Sequence, residues 1–475
     1  MDSKLPPIKN AHPRSHRLLP RTDSRPRRQP AGRPAQPGID PFPSAEALIR
    51  VLRGCFPQLN QQFNALPEPR CLPMCRYSGA HVWWSIVGTF LSRAGSRHAF
   101  DQQRNAGAAP WNMGELCDQS AQDPRFDGQP TVTCSDNAAH HAGRVDPDAV
   151  REIPVQMIRV LLQRRLFDSA RLFDHWHVLL VDGTVQEKCR SGFGQDGKTA
   201  AGEARYRYVL QVMLLGPQGR VFPFLHEAMD LHDPVLEKED CELKAFLRLS
   251  QRLEREFPRL PICWVGDALY ACQAVVERCQ QCGWKYVLTL KEGRQPTLWS
   301  ELLALLPQCR ENTLCTNVQT NAHPHRVDYR WVEDLLLGAS TTNAILAGEI
   351  TTTAATLYAF ITNFTNLTPA RVVTITQTGR QRHRIEDTFN AEKNHGIGLE
   401  HVFCAATTAA KNYYTMMQIA AILWVLTCAG CLKRLYQWAR QATEQGLARA
   451  IWEGLRARRL PPNLPPIGQV RFGFD

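Results

Sequence analysis

No apolar stretch opens this 475-residue chain: its first ten residues, MDSKLPPIKN, hold no core of a secretory signal. The expectation is a protein of a reducing cytoplasm, where its 16 cysteines stay free thiols. Regular zinc spacing is missing as well. Cys279 and Cys282 form one CxxC, Cys428 and Cys431 another, and Cys71 and Cys75 a CxxxC, yet no pairing of these repeats at zinc-site spacing. The group Cys134, His140 and His141 is no stronger. A long membrane span is also lacking. The most apolar run, TMMQIAAILWVLTCAGC at 415–431, has 17 residues and carries Gln418, so it is expected as a buried helix of a soluble protein with no membrane partner.

What is present is positive charge. Lys and Arg number 56 against 45 Asp and Glu, a net charge of +11 that favours polyanionic partners. Residues 1–42 hold nine Lys or Arg, three Asp and nine Pro, which suits a disordered basic tail able to add sequence-independent affinity for DNA. The length allows two or three domains.

Periodicity divides the rest. SAEALIRVLRGCF (44–56) predicts an amphipathic helix capped by Ser44, and PDAVREIPVQMIRVLLQRRLF (147–167) another, kinked or interrupted at Pro154. Residues 57–145 show weak periodicity and stay open. The expectation for 43–170 is an α-helical DNA-binding region, without an assignable helix-turn-helix. From 176 the signal becomes β: HVLLVD, RYVLQVMLLG and RVFPFLHEAM, the last two joined by a hairpin at GPQG (216–219). A helix over 235–256, the strand PICWVGD, a helix over ALYACQAVVERCQQCG and the strand KYVLTLK follow. That order, three antiparallel strands and then helix, strand, helix, strand, is the order of an RNase H-like domain. HRVDYRWVED, AILAGEITTTAATLYAFITN and RVVTITQ make 294–376 a β-rich insertion. A catalytic core thus falls into two parts, 171–293 and 377–442, the second with C-terminal helices, and 443–475 is expected as a tail.

Three acids stand out within this frame. Asp182 closes HVLLVD, Asp267 closes PICWVGD, and Glu386 lies in RQRHRIEDTFNAEKNHGIGLEHVF (380–403). Counted from Arg382, the residues Glu386, Phe389, Asn390 and Lys393 share one helical stripe, so a carboxylate sits between two cations, as suits a metal ion beside a phosphate backbone. Taken singly, Asp182 could belong to an Asp-Gly turn, Asp267 could cap a helix, and Glu386 could be an ion pair with Arg382. Asp387 and Glu392 lie off the stripe as weaker third acids.

The phrases LLVDGT, KEDCELKAFLRL, VGDALY and IEDTFNAEKNHGIGLEHVF, in that order across roughly 175–432, resemble the DDE transposases of bacterial insertion sequences. Asp182, Asp267 and Glu386 match the three acids, and Arg382, Glu386 and Lys393 match R-x-x-x-E-x-x-x-x-x-x-K. The signature usually carries tyrosine three residues before the arginine; Gly379 stands there. The resemblance implies an α/β fold, an RNase H-like mixed sheet flanked by helices. It implies two Mg²⁺ or Mn²⁺ ions held by Asp182, Asp267 and Glu386, and cleavage and joining of double-stranded DNA, both transposon terminal inverted repeats and target DNA. Arg382, Arg384 and Lys393 would bind DNA phosphates. It further implies a synaptic homodimer, nucleoid-associated in the cytoplasm. An RNase H-like nuclease without strand transfer and a domesticated DNA-binding copy stay open; a glycosidase with paired carboxylates fits the basic surroundings poorly. Trp284, Trp331 and Tyr329 are candidates for base stacking, with core packing the alternative for Trp284. His395, His401 and Glu400 are expected to shape a turn, and His226, Asp230 and Asp233 to line a loop without an assigned role.

Overall fold

A computed structural model of the chain describes residues 42–120, 122–189, 205–229, 238–318, 325–351, 354–468 and 470. The basic tail, save Phe42, and with it Asp230 and Asp233, therefore lie outside the described residues.

Seven helices come first: α1 (Phe42–Cys55), α2 (Leu59–Ala65), α3 (Gly79–Leu91), α4 (Arg97–Asp101), α5 (Ala109–Leu116), α6 (Ser135–Ala142) and α7 (Pro147–Gln163). Helix α3, GAHVWWSIVGTFL, is buried on every side from Ala80 to Leu91, which is why this region shows no one-sided period. Ser78 caps it by accepting from the His81 N–H. Trp84 donates to Asn60 at 2.6 Å, and the Asn60 amide donates to the carbonyl of Leu116, so one buried amide ties α2, α3 and α5 together. Two local expectations change. Helix α1 begins at Phe42, leaving Ser44 inside it rather than at its cap, and α7 runs through Pro154 without a break.

One nine-stranded mixed sheet follows. It comprises β1 (His177–Cys189), β2 (Arg205–Leu215), β3 (Val221–Met229), β4 (Ile262–Gly266), β5 (Lys285–Thr289), β6 (Thr313–Val318), β7 (His325–Leu337), β8 (Ser340–Ile350) and β9 (Ala355–Thr362). The spatial order is β3-β2-β1-β4-β5-β9-β8-β7-β6. Strands β1, β2 and β3 pair antiparallel, β1, β4 and β5 parallel, and β5 through β9, β8 and β7 to β6 antiparallel. The insertion strands thus continue the same sheet, as β9 pairs directly with β5.

Helices flank it: α8 (Lys238–Glu256), α9 (Gln273–Gln281), α10 (Pro296–Leu305), α11 (Pro369–Arg380), α12 (His383–Asn394), α13 (Thr407–Thr427), α14 (Lys433–Leu435), α15 (Gln437–Gln441) and α16 (Glu444–Ala457). Three expectations fail here. RVVTITQ, β-branched and expected as a strand, lies in α11, which starts at Pro369 behind the Thr368 cap and buries Val372, Ile375, Thr376 and Gly379. ALYAC forms a turn before α9. The expected tail contains α16, which buries Leu447, Ile451, Trp452 and Leu455 and packs on α1.

The apolar run at 415–431 is α13 and the turn of π-helix after it. By length and composition this helix could cross a membrane, but it is mostly buried within the fold, against α3, α7 and β3. Asn412 donates to the carbonyls of Ala142 and Val145, and Tyr414 to the Gln211 side chain, joining the N-terminal helices to the sheet.

Candidate active site

The parallel pairing of β1 and β4 sets Leu180 opposite Val265, and two residues further on along each chain stand Asp182 and Asp267. Asp182 is not at a strand end as expected. Strand β1 continues past it to Cys189, paired with β2, so the Asp-Gly dipeptide is extended backbone and not a turn. Asp267 follows the last residue of β4. Its carboxylate accepts from the Leu269 N–H at 2.9 Å, which shapes the turn before α9 and replaces the anticipated helix cap.

Helix α12 delivers the third acid. Its first turn carries Glu386, which is exposed, while Ile385 and Phe389 of the same helix are buried. Arg382, at the helix start, brings one guanidinium nitrogen to 2.7 Å from Glu386 and 3.8 Å from Asp182. The ion pair foreseen for Glu386 is present, and it extends to the first aspartate. Burial pushes the Asp182 carboxyl up to about 7; Arg382 lowers it, while Asp267, Glu386 and Glu242 raise it further. Asp182 therefore feels both of the other sequence-identified acids. Among the described residues, however, no three His, Cys, Asp or Glu side chains stand close enough to hold a metal ion.

Two neighbours escaped the sequence reading. Glu242, near the start of α8, is buried, and a Cβ on Gly183 would meet its carboxylate at 2.7 Å. Glycine after Asp182 thus admits a fourth acid beside the first. Tyr270, fully buried, has no hydrogen-bond partner for its hydroxyl among the described residues and feels Glu242, Asp182 and Asp267. A signal for Glu242 existed: it falls on the apolar stripe of α8 with Ala245, Phe246 and Leu249, where an acid is out of place.

The expected DNA contacts separate. Arg382 is at the acids. Lys393 is paired with Glu400 at 2.9 Å, and Glu400 in turn accepts from and donates to the backbone of β1 at Lys188 and Gln186. Arg384 points elsewhere: its guanidinium presses on Gly219 in the β2–β3 turn. Of the weaker third acids, Asp387 is exposed beside His383, and Glu392 is buried behind the helix. Trp284, Trp331 and Tyr329 are all buried, which leaves no face for a base. His401 stacks edge-on against Phe403, and His226 is buried against Tyr414.

Gly379 is buried in α11, and a Cβ there would meet the Phe360 ring of β9 at 2.5 Å. No protein-family model matches the chain, and no curated protein matches it.

An all-carboxylate donor set is what hard divalent cations take, and burial, reinforced by the neighbouring acids, holds the Asp182 carboxyl up at about 7 despite Arg382. Asp182, Asp267 and Glu386 fit Mg²⁺ or Mn²⁺ in chemistry and charge, with Arg382 supplying positive charge between two of them.

Proposed function

We propose that this chain is a DNA transposase of the DDE type, with an RNase H-like catalytic core interrupted by a β insertion. The observation that carries this reading is the level placement of Asp182 on β1 and Asp267 just past the end of the adjacent parallel strand β4, with α12 bringing Arg382, paired with Glu386, to Asp182. The strand order β3-β2-β1-β4-β5 supports it.

Asp182, Asp267 and Glu386 would hold two Mg²⁺ or Mn²⁺ ions. When bound, such ions make water or a 3′-hydroxyl nucleophilic and stabilise the leaving oxygen of a phosphodiester. Bound ions would favour the ionised form of Asp182, whose proton would pass to solvent. Arg382 leaves Glu386 for a DNA phosphate, which accepts two parallel guanidinium hydrogen bonds. Lys393 stays with Glu400 and steadies the turn after α12, adding its charge at longer range. The partners are double-stranded terminal inverted repeats and target DNA, held by a homodimer in a synaptic complex within the cytoplasm.

The test uses a marker flanked by the inverted repeats bracketing the reading frame. Cleavage and joining are expected with Mg²⁺, and Asp182→Asn, Asp267→Asn and Glu386→Gln should each abolish both while end binding stays within about threefold. Near-normal cleavage by any of the three removes that residue from the site. Cleavage without joining would favour a nuclease instead.

A further inference from the structure

At the end of the parallel strands away from the acids, two cations gather on aromatic rings. Lys285 opens β5 level with Cys263 and Val178, so it stands four residues short of Asp267 and Asp182. It lies over the Phe364 ring at 5.5 Å and over Trp176, just before β1, at 5.9 Å. Arg371, in the first turn of α11, lies over the same Phe364 ring at 5.9 Å and over Phe173 at 5.0 Å. Two like charges therefore share one buried ring.

Neither charge is answered. Among the described residues Arg371 and Lys285 have no carboxylate partner; Lys285 donates to the Asn363 carbonyl at 3.0 Å, and the Arg371 guanidinium donates to no protein atom. Asp174 is exposed beside Phe173, and Glu333 accepts from the Leu367 N–H at 3.4 Å, yet neither pairs with the two cations. Both cationic side chains are half-buried, and burial together with Arg371 pushes the Lys285 ammonium below its usual range. Phe173, the ring closest to the guanidinium, has a φ of 52°, a conformation that bulky residues rarely adopt.

A guanidinium held by stacking keeps its fork of N–H donors free in a fixed plane, which matches two oxygens of a phosphate, and the ammonium beside it adds a second point of positive charge. Helix α11, 12 residues and about 18 Å long, leads from Arg371 to Arg380, and Arg382 two residues further on reaches the acids. The helix carries no acid, and no Asp or Glu occurs between Glu349, which Arg380 engages at 3.0 Å, and Glu386. A single small anion would need only the far corner, whereas a chain of phosphates can occupy that corner and Arg382 at once. We propose that Arg371 and Lys285 form a second phosphate anchor, for the backbone of duplex DNA that runs along α11 from the acids. This rests on the reading of the chain as a DNA-cutting enzyme and adds where its DNA lies.

Fluorescence anisotropy of a labelled duplex of about 30 base pairs and unrelated sequence, with the full chain in EDTA so that nothing is cut, tests the anchor. Arg371→Ala and Lys285→Ala should each weaken binding about three- to tenfold and lower the slope of log K against log salt by about one unit or less, and Arg371→Lys should recover part of the loss. Gln377→Glu, an exposed change on α11, should weaken binding to a similar degree, while Gln308→Glu, an exposed change just past α10, should alter it by about twofold at most. Gln377 belongs to neither ring stack, so the comparison holds even if an Arg371 variant fails to fold. No binding by the unaltered chain, an unchanged affinity and slope in folded Arg371→Ala, or equal weakening by the two glutamate variants would each overturn the proposal. Cleavage in Mg²⁺ is scored separately: Arg371-dependent binding without cleavage would leave the anchor standing and count against the enzyme, and cleavage with binding indifferent to Arg371 would do the reverse.

Discussion

Arg382 lies 3.8 Å from Asp182 through the same guanidinium nitrogen that contacts Glu386. An internal cation therefore holds a position between two of the acids that an external cation would contest. Replacing Arg382 with alanine should let Mn²⁺ bind the DNA-free protein more tightly, by up to about tenfold, while weakening binding to DNA ends. Electron paramagnetic resonance titration of Mn²⁺ checks the first half. Unchanged or weaker Mn²⁺ binding would show that the arginine does not compete with the metal.

Asp182 also makes folding depend on pH. In the native state it keeps its proton up to about 7, whereas its ordinary value is 3.8. Between those values the native state holds more protons than the unfolded one, so this group's contribution to stability falls as pH rises and is constant above the window. Asp182→Asn should therefore gain stability relative to the original chain from about pH 4 to pH 7. The gap should reach a few kcal/mol at most, and urea unfolding without divalent ions measures it. A gap that does not vary with pH would contradict the raised value.

Placing an aromatic residue at position 379 should harm the protein. Gly379→Tyr would drive its side chain into the Phe360 ring, an overpacking cost of about 1–3 kcal/mol or more, seen as a lower melting temperature. Phe360→Ala in the same chain should recover part of the loss. If the double variant melts no higher than Gly379→Tyr alone, the clash lies elsewhere.

Buried Glu187 pairs with half-buried Arg207 at 2.5 Å, and Arg207 also donates to the carbonyls of Cys404 and Ala405 ahead of α13. Arg207→Met strands the Glu187 carboxylate and should cost about 3–5 kcal/mol in denaturant unfolding. The double change Glu187→Gln with Arg207→Met should cost less than Arg207→Met alone.

Much of this was legible in the sequence, for identifiable reasons. HVLLVD, PICWVGD and KYVLTLK are short apolar runs bounded by polar turns, and they became central parallel strands. The pairing of Arg382 with Glu386 followed from four-residue helical spacing. The failures came where tertiary context overrode local preference. Val372, Val373 and Ile375 favour strands, yet Pro369 and the Thr368 cap start a helix that buries Val372 and Ile375 beneath the sheet. Helix α3 hid because burial on all sides erases a one-sided period. Helix α16 does show Leu447, Ile451 and Leu455 at four-residue spacing, a period too short to stand out ahead of the prolines at 461, 462, 465 and 466. The engagement of Lys393 by Glu400 depends on a turn meeting β1, a contact no local pattern encodes.

The pairing of β9 with β5 also fixes an order in time. Leu290 donates its backbone N–H to the carbonyl of Ala359, and only beyond that junction does the chain reach the helix carrying Glu386. During synthesis Asp182 and Asp267 can take their places while the third acid is still unmade. The nascent protein thus carries a partial set of acids through the making of five further strands, and it gains the last only after the sheet's far half has been joined to the near one.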